Sequence, residues 1–445
     1  MHLLERARTA RGWTRTELAR RLCVLGATRG VAVGTGKDGV WRWEHGRDPD
    51  HPTRVLIAEL LGIPDDAVTD RPWPNWLAAD PALQPLCYTW DAPGALQSLN
   101  EVSGSDMDID RRTFALVTGA TLTTSLWSWL TADPAAAGQI AEGRRIGEAA
   151  VAHIERQVRE LRHTDDADGG GQVIQETQAA MGMVVRLLQD RSYTETHGQR
   201  LYSAAADLAR MHAWAVFDVQ SHCPDAVFES ALRCAHAASD TILGSHILAF
   251  WCAAAYNCGR PDDAEAMAAA SVSAARGRTT PKVEAMLLTR RARARAHQRD
   301  ATCFRDLDQA TELLATSATT GDTDPEWAYW FDQSELLAAR ASCELDLDRA
   351  AQAETTFAQA AALYPADRVR THALYLTRQA DAQWRQNDLE RACATANRAL
   401  DLTEEISSHR TTGPLRDLAA KMLPHAATPV VRDFRDRVAT SLHVA

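Results

Sequence analysis

Apolar residues near the start of the chain recur at helical spacing and predict two short helices. The first helix ends at Gly12, and the second begins after Thr14, whose hydroxyl suits an N-cap with Glu17 three residues further on. Their apolar positions are Leu3, Leu4, Ala7, Leu18, Ala19 and Leu22. We expect the second helix to run to about Ala27 and to be followed by a glycine-marked loop.

Two further helices are predicted within the first 70 residues. One spans roughly Lys37 to His45 and stops at Gly46, because glycine readily takes the left-handed conformation of a helix end. The other opens at Pro52 and closes at Gly62. This arrangement predicts a helix-turn-helix module, in which the second helix of the pair enters the major groove of DNA.

From about residue 140 the pattern changes to Ala- and Leu-rich helices joined by short polar turns. Residues typical of tetratricopeptide repeats (TPR) recur at Cys252, Gly259, Ala264 and Ala268, at Ala341, Ala353, Phe357, Ala360 and Pro365, and at Ala380, Ala392, Ala396 and Ala399. The 39 residues from Ala341 to Ala380 exceed the 34 of a standard repeat and imply longer helices or loops. We predict an all-α protein with a C-terminal TPR-like α-solenoid; a non-repeating helical bundle is the alternative.

Length and charge indicate several domains. With 445 residues, 45% of them hydrophobic and 24% charged, the chain exceeds what one core usually supports. We predict a helix-turn-helix domain over 1–70, a linker with a packed helical segment over 71–139, and helical repeats over 140–445. Residues 1–60 hold 11 Lys and Arg against 7 Asp and Glu, a formal charge of +4, and the remainder carries −15. A basic head on an acidic body favours nucleic-acid binding by the head.

Residues 1–68 resemble the phage-repressor-like (XRE-type) transcriptional regulators. The marks are the Thr-x-x-x-Leu-Ala start of the second helix, the block apolar-x-x-Trp-Glu-x-Gly-Arg at 40–47, and the Pro-then-Leu-rich last helix. The connection before the 40–47 block departs from the pattern, being about ten residues longer than a minimal turn, as in a subgroup of actinobacterial members. A head joined to repeats also resembles the peptide-pheromone (quorum-sensing) receptors of Gram-positive bacteria.

The predicted recognition helix offers candidate DNA contacts. Val40 and Trp43 should face the core, and Glu44 should bond within the fold. Arg and Lys can donate to guanine and Asp can accept from cytosine, and an exposed Trp can touch a thymine methyl. The candidate base contacts are Lys37, Asp38, Trp41 and Arg42, and the candidate phosphate contacts are Thr14, Arg15, Thr16 and Arg47. Plain surface is the alternative for each.

The first helix of each repeat lines the concave face of such a solenoid, which predicts candidate ligand contacts. The repeat register turns these side chains inward: His246, Tyr256, Asn257, Glu335, Ser342, Asp381 and Trp384. Ordinary surface or core is the alternative for each of them. The aromatic run Trp327–Phe331 is more typical of the core of a helix pair than of a binding cage.

The sequence offers no convincing phosphate loop, nucleophile elbow, metal-ligand set or disulfide framework, so we expect no catalysis, cofactor or metal. No apolar run approaches ~20 residues, so we expect a cytoplasmic protein without a membrane partner. The leading hypothesis is a homodimeric transcriptional regulator that binds a double-stranded operator and senses a peptide, a small molecule or a partner protein. An adaptor with a vestigial helix-turn-helix is the main alternative, and an enzyme is the third.

Overall fold

A computed structural model describes residues 2–442 except positions 10, 12, 32, 64–67, 70, 81–87, 105–118, 133–144, 169, 221, 322, 365–367 and 404–408. This part of the chain holds twenty α-helices and no β-strand, so the predicted all-α fold is confirmed. None of the helices is long and apolar enough to cross a membrane.

Four helices form the head: α1 (Leu3–Thr9), α2 (Arg15–Arg29), α3 (Lys37–Glu44) and α4 (His51–Leu61). The caps follow the local sequence signals. The Thr14 hydroxyl accepts a hydrogen bond from the Glu17 N–H at 3.1 Å, and the chain leaves α3 and α4 through glycines with φ of 91° and 72°. The carboxylate of Glu17 contacts Arg20 and Arg21, so only the Thr14 half of the capping box forms.

The core of the head extends past residue 70. Trp73, Trp76 and Leu77 are buried with the apolar residues of the four helices. Arg11 donates to both carboxylate oxygens of Asp80 at 2.7 Å, which ties the end of this segment to the head. The head therefore reaches residue 80, ten residues beyond the boundary predicted from the sequence. The pattern missed this because the segment carries prolines typical of a linker.

Two helices of the predicted linker pack on the body. They are α5 (Ala92–Gly104) and α6 (Gly119–Thr131). The guanidinium of Arg233 lies 4.3 Å from the ring centroid of Trp90, just before α5. Trp129 of α6 is buried so close to Gly244 that a Cβ there would lie 2.7 Å from its ring. Residues 105–118 and 133–144 lie outside the described part.

The body is a solenoid of fourteen described helices, each odd-numbered helix packing on the next even-numbered one. They are α7 (Glu148–Asp168), α8 (Gly170–Asp190), α9 (Glu195–Gln220), α10 (Asp225–Ala237), α11 (Thr241–Asn257), α12 (Pro261–Ala275), α13 (Pro281–His297), α14 (Cys303–Thr320), α15 (Gln333–Asp346), α16 (Ala350–Ala361), α17 (Val369–Arg385), α18 (Leu389–Thr403), α19 (His409–Lys421) and α20 (Pro429–Ser441).

The residues that suggested the repeat lie where these helices meet. Ala341 and Ala353 are fully buried between α15 and α16, and Ala380 and Ala392 are fully buried between α17 and α18. A small side chain there lets two helices approach closely; Ala341 and Ala353 belong to one buried apolar cluster, and Ala380 and Ala392 belong to another. Pro365 lies outside the described residues.

The late helices of the solenoid fold back on its early ones. Helix α17 contacts α7, and α19 contacts α9. Arg370 of α17 lies 3.4 Å from Asp165 of α7 and 3.3 Å from Asp218 of α9, and all three side chains are buried. The odd-numbered helices thus surround a common interior.

Candidate functional site

Helix α3 presents one polar face to solvent. Val40 is fully buried, and Trp43 is half-buried against the head core. The four predicted base-contacting residues are all exposed: Lys37, Asp38, Trp41 and Arg42. Lys37 and Asp38 lie one helical turn before Trp41 and Arg42, away from Val40, and the four therefore share the outer side of α3. Trp41 is 47% exposed and stacks on His45, with ring centroids 4.2 Å apart.

The described cations of the head divide into paired and unpaired groups. Between residues 2 and 63, these side chains form ion pairs with carboxylates: Arg8, Arg11, Arg15, Arg20, Arg21, Arg29 and Arg54. Among the other described Lys and Arg side chains of that range, Lys37, Arg42 and Arg47 have no ion pair within the described structure. All three belong to α3 or to the turn that follows it, so the uncompensated positive charge is concentrated there.

Glu44 fixes α3 to the two preceding helices. Its carboxylate is fully buried, accepts from Arg8 Nε at 2.7 Å, and also accepts from Arg15. The predicted internal role of Glu44 is thus present. Arg15 was predicted to hold a phosphate. Its guanidinium instead forms an ion pair with Glu44, and Glu5 lies 3.7 Å away. The hydrogen bond to Glu44 raises the pKa of Arg15.

The remaining predicted phosphate contacts surround this junction. Thr14 and Thr16 are exposed at the first turn of α2, where backbone N–H groups lack helical acceptors, and Arg47 is exposed just after α3. The connection between α2 and α3 covers residues 30–36, because α2 continues to Arg29. It is therefore shorter than the sequence suggested.

The connection folds back onto α2. The Cys23 thiol lies 3.2 Å from the carbonyl oxygen of Val33. A Cβ on Gly26 would lie 2.6 Å from the carbonyl oxygen of Val31, so only glycine fits without a shift. These contacts hold the connection that leads into α3.

A cavity of about 490 Å³ lies inside the solenoid. Its walls come from the odd-numbered helices α7 to α19 and from residues 327–331. Six of the seven predicted ligand contacts line it: His246, Tyr256, Asn257, Glu335, Ser342 and Asp381. Trp384 does not line it; its ring packs beside the C-terminal core, 5.9 Å from the Lys421 ammonium.

Positive charge dominates the cavity wall. Nine cationic side chains line it: Arg162, Arg210, Arg290, Arg293, Arg368, Arg370, Arg378, Arg385 and Lys421. Five carboxylates line it: Asp165, Glu335, Asp346, Asp381 and Asp417. Sequence reasoning did not select these arginines.

Most cavity carboxylates already have partners on the wall. Asp346 binds Arg293, and Asp381 binds Arg385 at 3.1 Å and Lys421 at 3.2 Å. Glu335 accepts hydrogen bonds from the hydroxyls of Tyr364 and Tyr375. Burial raises the pKa of Glu335, and these two hydrogen bonds oppose the rise.

Aromatic rings form one side of the cavity. His246 is buried and stacks on Trp327, with centroids 4.0 Å apart. Burial, followed by the charge of Arg210, holds the pKa of His246 well below its usual value, so the ring is neutral near pH 7. Trp330 and Phe250 meet edge to face at 6.0 Å. The run 327–331 forms a short turn on the cavity wall, and its Trp327, Ala328 and Phe331 are buried in the core of the body, as a core role predicts.

Comparison with known families concerns the head. Residues 4–63 match the SP15 N-terminal domain family. The match spans α1 to α4, and it is not a match to the phage-repressor-like family that residues 1–68 resemble. No curated protein matches the chain.

Proposed function

We propose that this protein is a sequence-specific transcriptional regulator that binds double-stranded operator DNA through α3. The observation that carries the proposal is the clustering of Lys37, Arg42 and Arg47, the cations of residues 2–63 left without ion pairs among the described side chains. Elsewhere in the described head, positive charge is neutralised within the fold. The resemblance of residues 40–47 to repressor-like regulators supports the same surface.

The geometry of α3 suits base readout. Two basic residues, an acid and an aromatic ring lie on one exposed face of a short helix, and such a face fits the major groove. In this proposal the N-terminus of α2, with the exposed Thr14 and Thr16, holds a phosphate. Arg15 is left out of this interface because it braces Glu44.

We further propose that the solenoid senses a small molecule in its central cavity. The volume of about 490 Å³ is that of a small-molecule site. A ligand there would touch helices from both ends of the solenoid, and it acts on the head only if it binds two shapes of the body unequally. Two heads held at fixed spacing in a homodimer would read a two-fold operator.

The test selects genomic fragments bound by the full-length protein and measures affinity by fluorescence anisotropy. We expect binding that weakens steeply with salt, because cations displace counterions from phosphates. Arg42→Ala should lower affinity for the selected fragment roughly 10- to 100-fold, as expected for loss of a base contact. Lys37→Ala should weaken binding in the same direction.

Arg29→Ala is the matched control, because this arginine is exposed on α2 but paired with Glu59. It should leave affinity almost unchanged. Binding that is weak, blind to sequence and equally affected by all three variants would contradict the proposal and favour a scaffold protein with a vestigial head.

A further inference from the structure

The cavity wall is rich in arginine, and most of these arginines have carboxylate partners on or behind the wall. The chain beyond residue 60 carries a formal charge of −15, yet the cavity lining has nine cationic side chains against five carboxylates. Carboxylates behind the wall pair with several of these cations: Asp207 with Arg162 and Arg210, Asp218 with Arg370, Asp332 with Arg368, and Asp348 with Arg385. An anion would therefore be held by the wall arginines that these carboxylates do not neutralise.

Two arginines on the wall have unused hydrogen-bonding capacity. Arg290 forms no ion pair within the described residues, and its buried Nε lacks a hydrogen-bond acceptor. Arg378 lies 3.8 Å from Asp346, whose carboxylate already binds Arg293, and its buried Nη1 also lacks an acceptor. Burial, and then repulsion by Arg293, lower the pKa of Arg378. Both guanidiniums can therefore donate to a ligand.

The same wall offers planar surfaces. The guanidinium of Arg290 lies 5.2 Å from the ring centroid of Trp330 and 5.9 Å from that of Phe250. Across the cavity lining, His246 stacks on Trp327 and keeps its Nδ1 buried without a hydrogen-bond partner among the described atoms. A planar ring of a ligand can stack on these side chains, and a polar group on that ring can form a hydrogen bond with Nδ1 of His246.

We propose that the cavity binds an aromatic anion: a small molecule that joins a planar ring to a phosphate or carboxylate group. The anionic group lies against Arg290 and Arg378, where it replaces the missing acceptors, and the ring lies against the aromatic wall. The volume of about 490 Å³ suits a ligand of nucleotide size or smaller. This inference rests on the proposed sensory role of the cavity.

The experiment uses full-length protein, isothermal titration calorimetry and thermal melting with paired probes. AMP and adenosine test phosphates, and indole-3-acetate and indole-3-acetamide test carboxylates. We expect at least one anion to bind and to raise the melting temperature, with its neutral counterpart at least roughly 10-fold weaker. The pair that responds identifies the type of anionic group.

Variants connect binding to the two arginines. Arg290→Gln and Arg378→Gln should each lower the affinity of the active anion roughly 10- to 100-fold, and Arg290→Lys should retain part of it. Arg391→Gln, which removes an exposed arginine outside the cavity, is the control and should bind normally. In the absence of ligand, Arg378→Gln should melt at the same temperature or higher, because it removes a cation repelled by Arg293; a purely structural role predicts a lower temperature.

The inference is overturned if no anion of either pair binds at millimolar concentration, if the neutral compounds bind equally well, or if the glutamine variants bind as the unmodified protein does. DNA binding is measured on the same preparations. Loss of ligand binding with intact operator binding rejects the anion site alone, whereas ligand binding without sequence-specific DNA binding rejects the regulatory function alone.

Discussion

Replacing Glu44 by glutamine should lower the stability of the head more than the same replacement at an exposed glutamate. The Glu44 side chain is fully buried and that of Arg8 is 9% exposed, so the substitution leaves a buried guanidinium without its counter-charge. Breaking such a pair from one side costs about 3–5 kcal/mol. Arg15, which is 36% exposed, adds little because solvent screens it. Glutamine retains one acceptor oxygen, so we expect about 3 kcal/mol, the lower end of that range.

Hydrogen–deuterium exchange of the full-length protein measures this effect locally. A loss of about 3 kcal/mol lowers amide protection in the head roughly 100-fold, because each 1.4 kcal/mol is a factor of ten. Peptides from the body should exchange as before, since the described part of the body makes no contact with Glu44. Operator affinity should fall as well, because Glu44 attaches α3 to α1 and α2.

Glu59→Gln provides the control. It makes the same chemical change to a carboxylate paired with Arg29, but both side chains are partly exposed, 34% and 61%. Its protection pattern should match that of the unmodified head. If Glu44→Gln lowered protection no more than Glu59→Gln, the claim that this buried pair positions α3 would be refuted.

Three other substitutions test the packing and the titration of the interior. Gly26→Ala places a methyl group 2.6 Å from the carbonyl oxygen of Val31, so it should displace the connection to α3 and weaken operator binding; unchanged affinity would show that this connection tolerates movement. Gly244→Ala puts a Cβ 2.7 Å from Trp129 and should cost about 1–3 kcal/mol, seen as a lower melting temperature, whereas an unchanged one would contradict the close contact. Burial lowers the pKa of His212 to about 4 from 6.5, partly opposed by its hydrogen bond to a backbone carbonyl. Its neutral form is favoured in the fold, so stability present above pH 6.5 should fall as pH drops toward 4, by up to about 3 kcal/mol. His212→Asn should flatten this fall in pH-dependent melting, and an identical pH profile would argue against the assignment.

The sequence predicts those parts of the structure that depend on neighbouring residues. Thr14 caps α2 and Gly62 ends α4, because caps need only a few adjacent positions. The burial of Ala341 and Ala380 followed from the repeat pattern in the same way. Periodicity also placed six of seven candidate contacts on the cavity wall, since a helix has one inward face.

What the sequence missed depends on distant partners. Arg15 has the position of a phosphate contact, and only the fold brings Glu44 beside it. Trp76 lies in a proline-rich stretch typical of a linker, yet it is fully buried in the head. Arg290 and Arg378 resemble ordinary helix-surface arginines, and their missing acceptors become visible only when the surrounding helices are placed.

Because α17 and α19 rest on α7 and α9, the body differs mechanically from an open array of repeats. In an open array each repeat contacts only its neighbours, so a terminal repeat can fray or be deleted with a modest loss of stability. In a body closed in this way, deleting either the first or the last helices would remove contacts at both ends and expose the arginine-rich wall to water. Unfolding of such a closed body is expected to be a single cooperative event. A molecule bound in the central cavity would stabilise all the helices that line it at once.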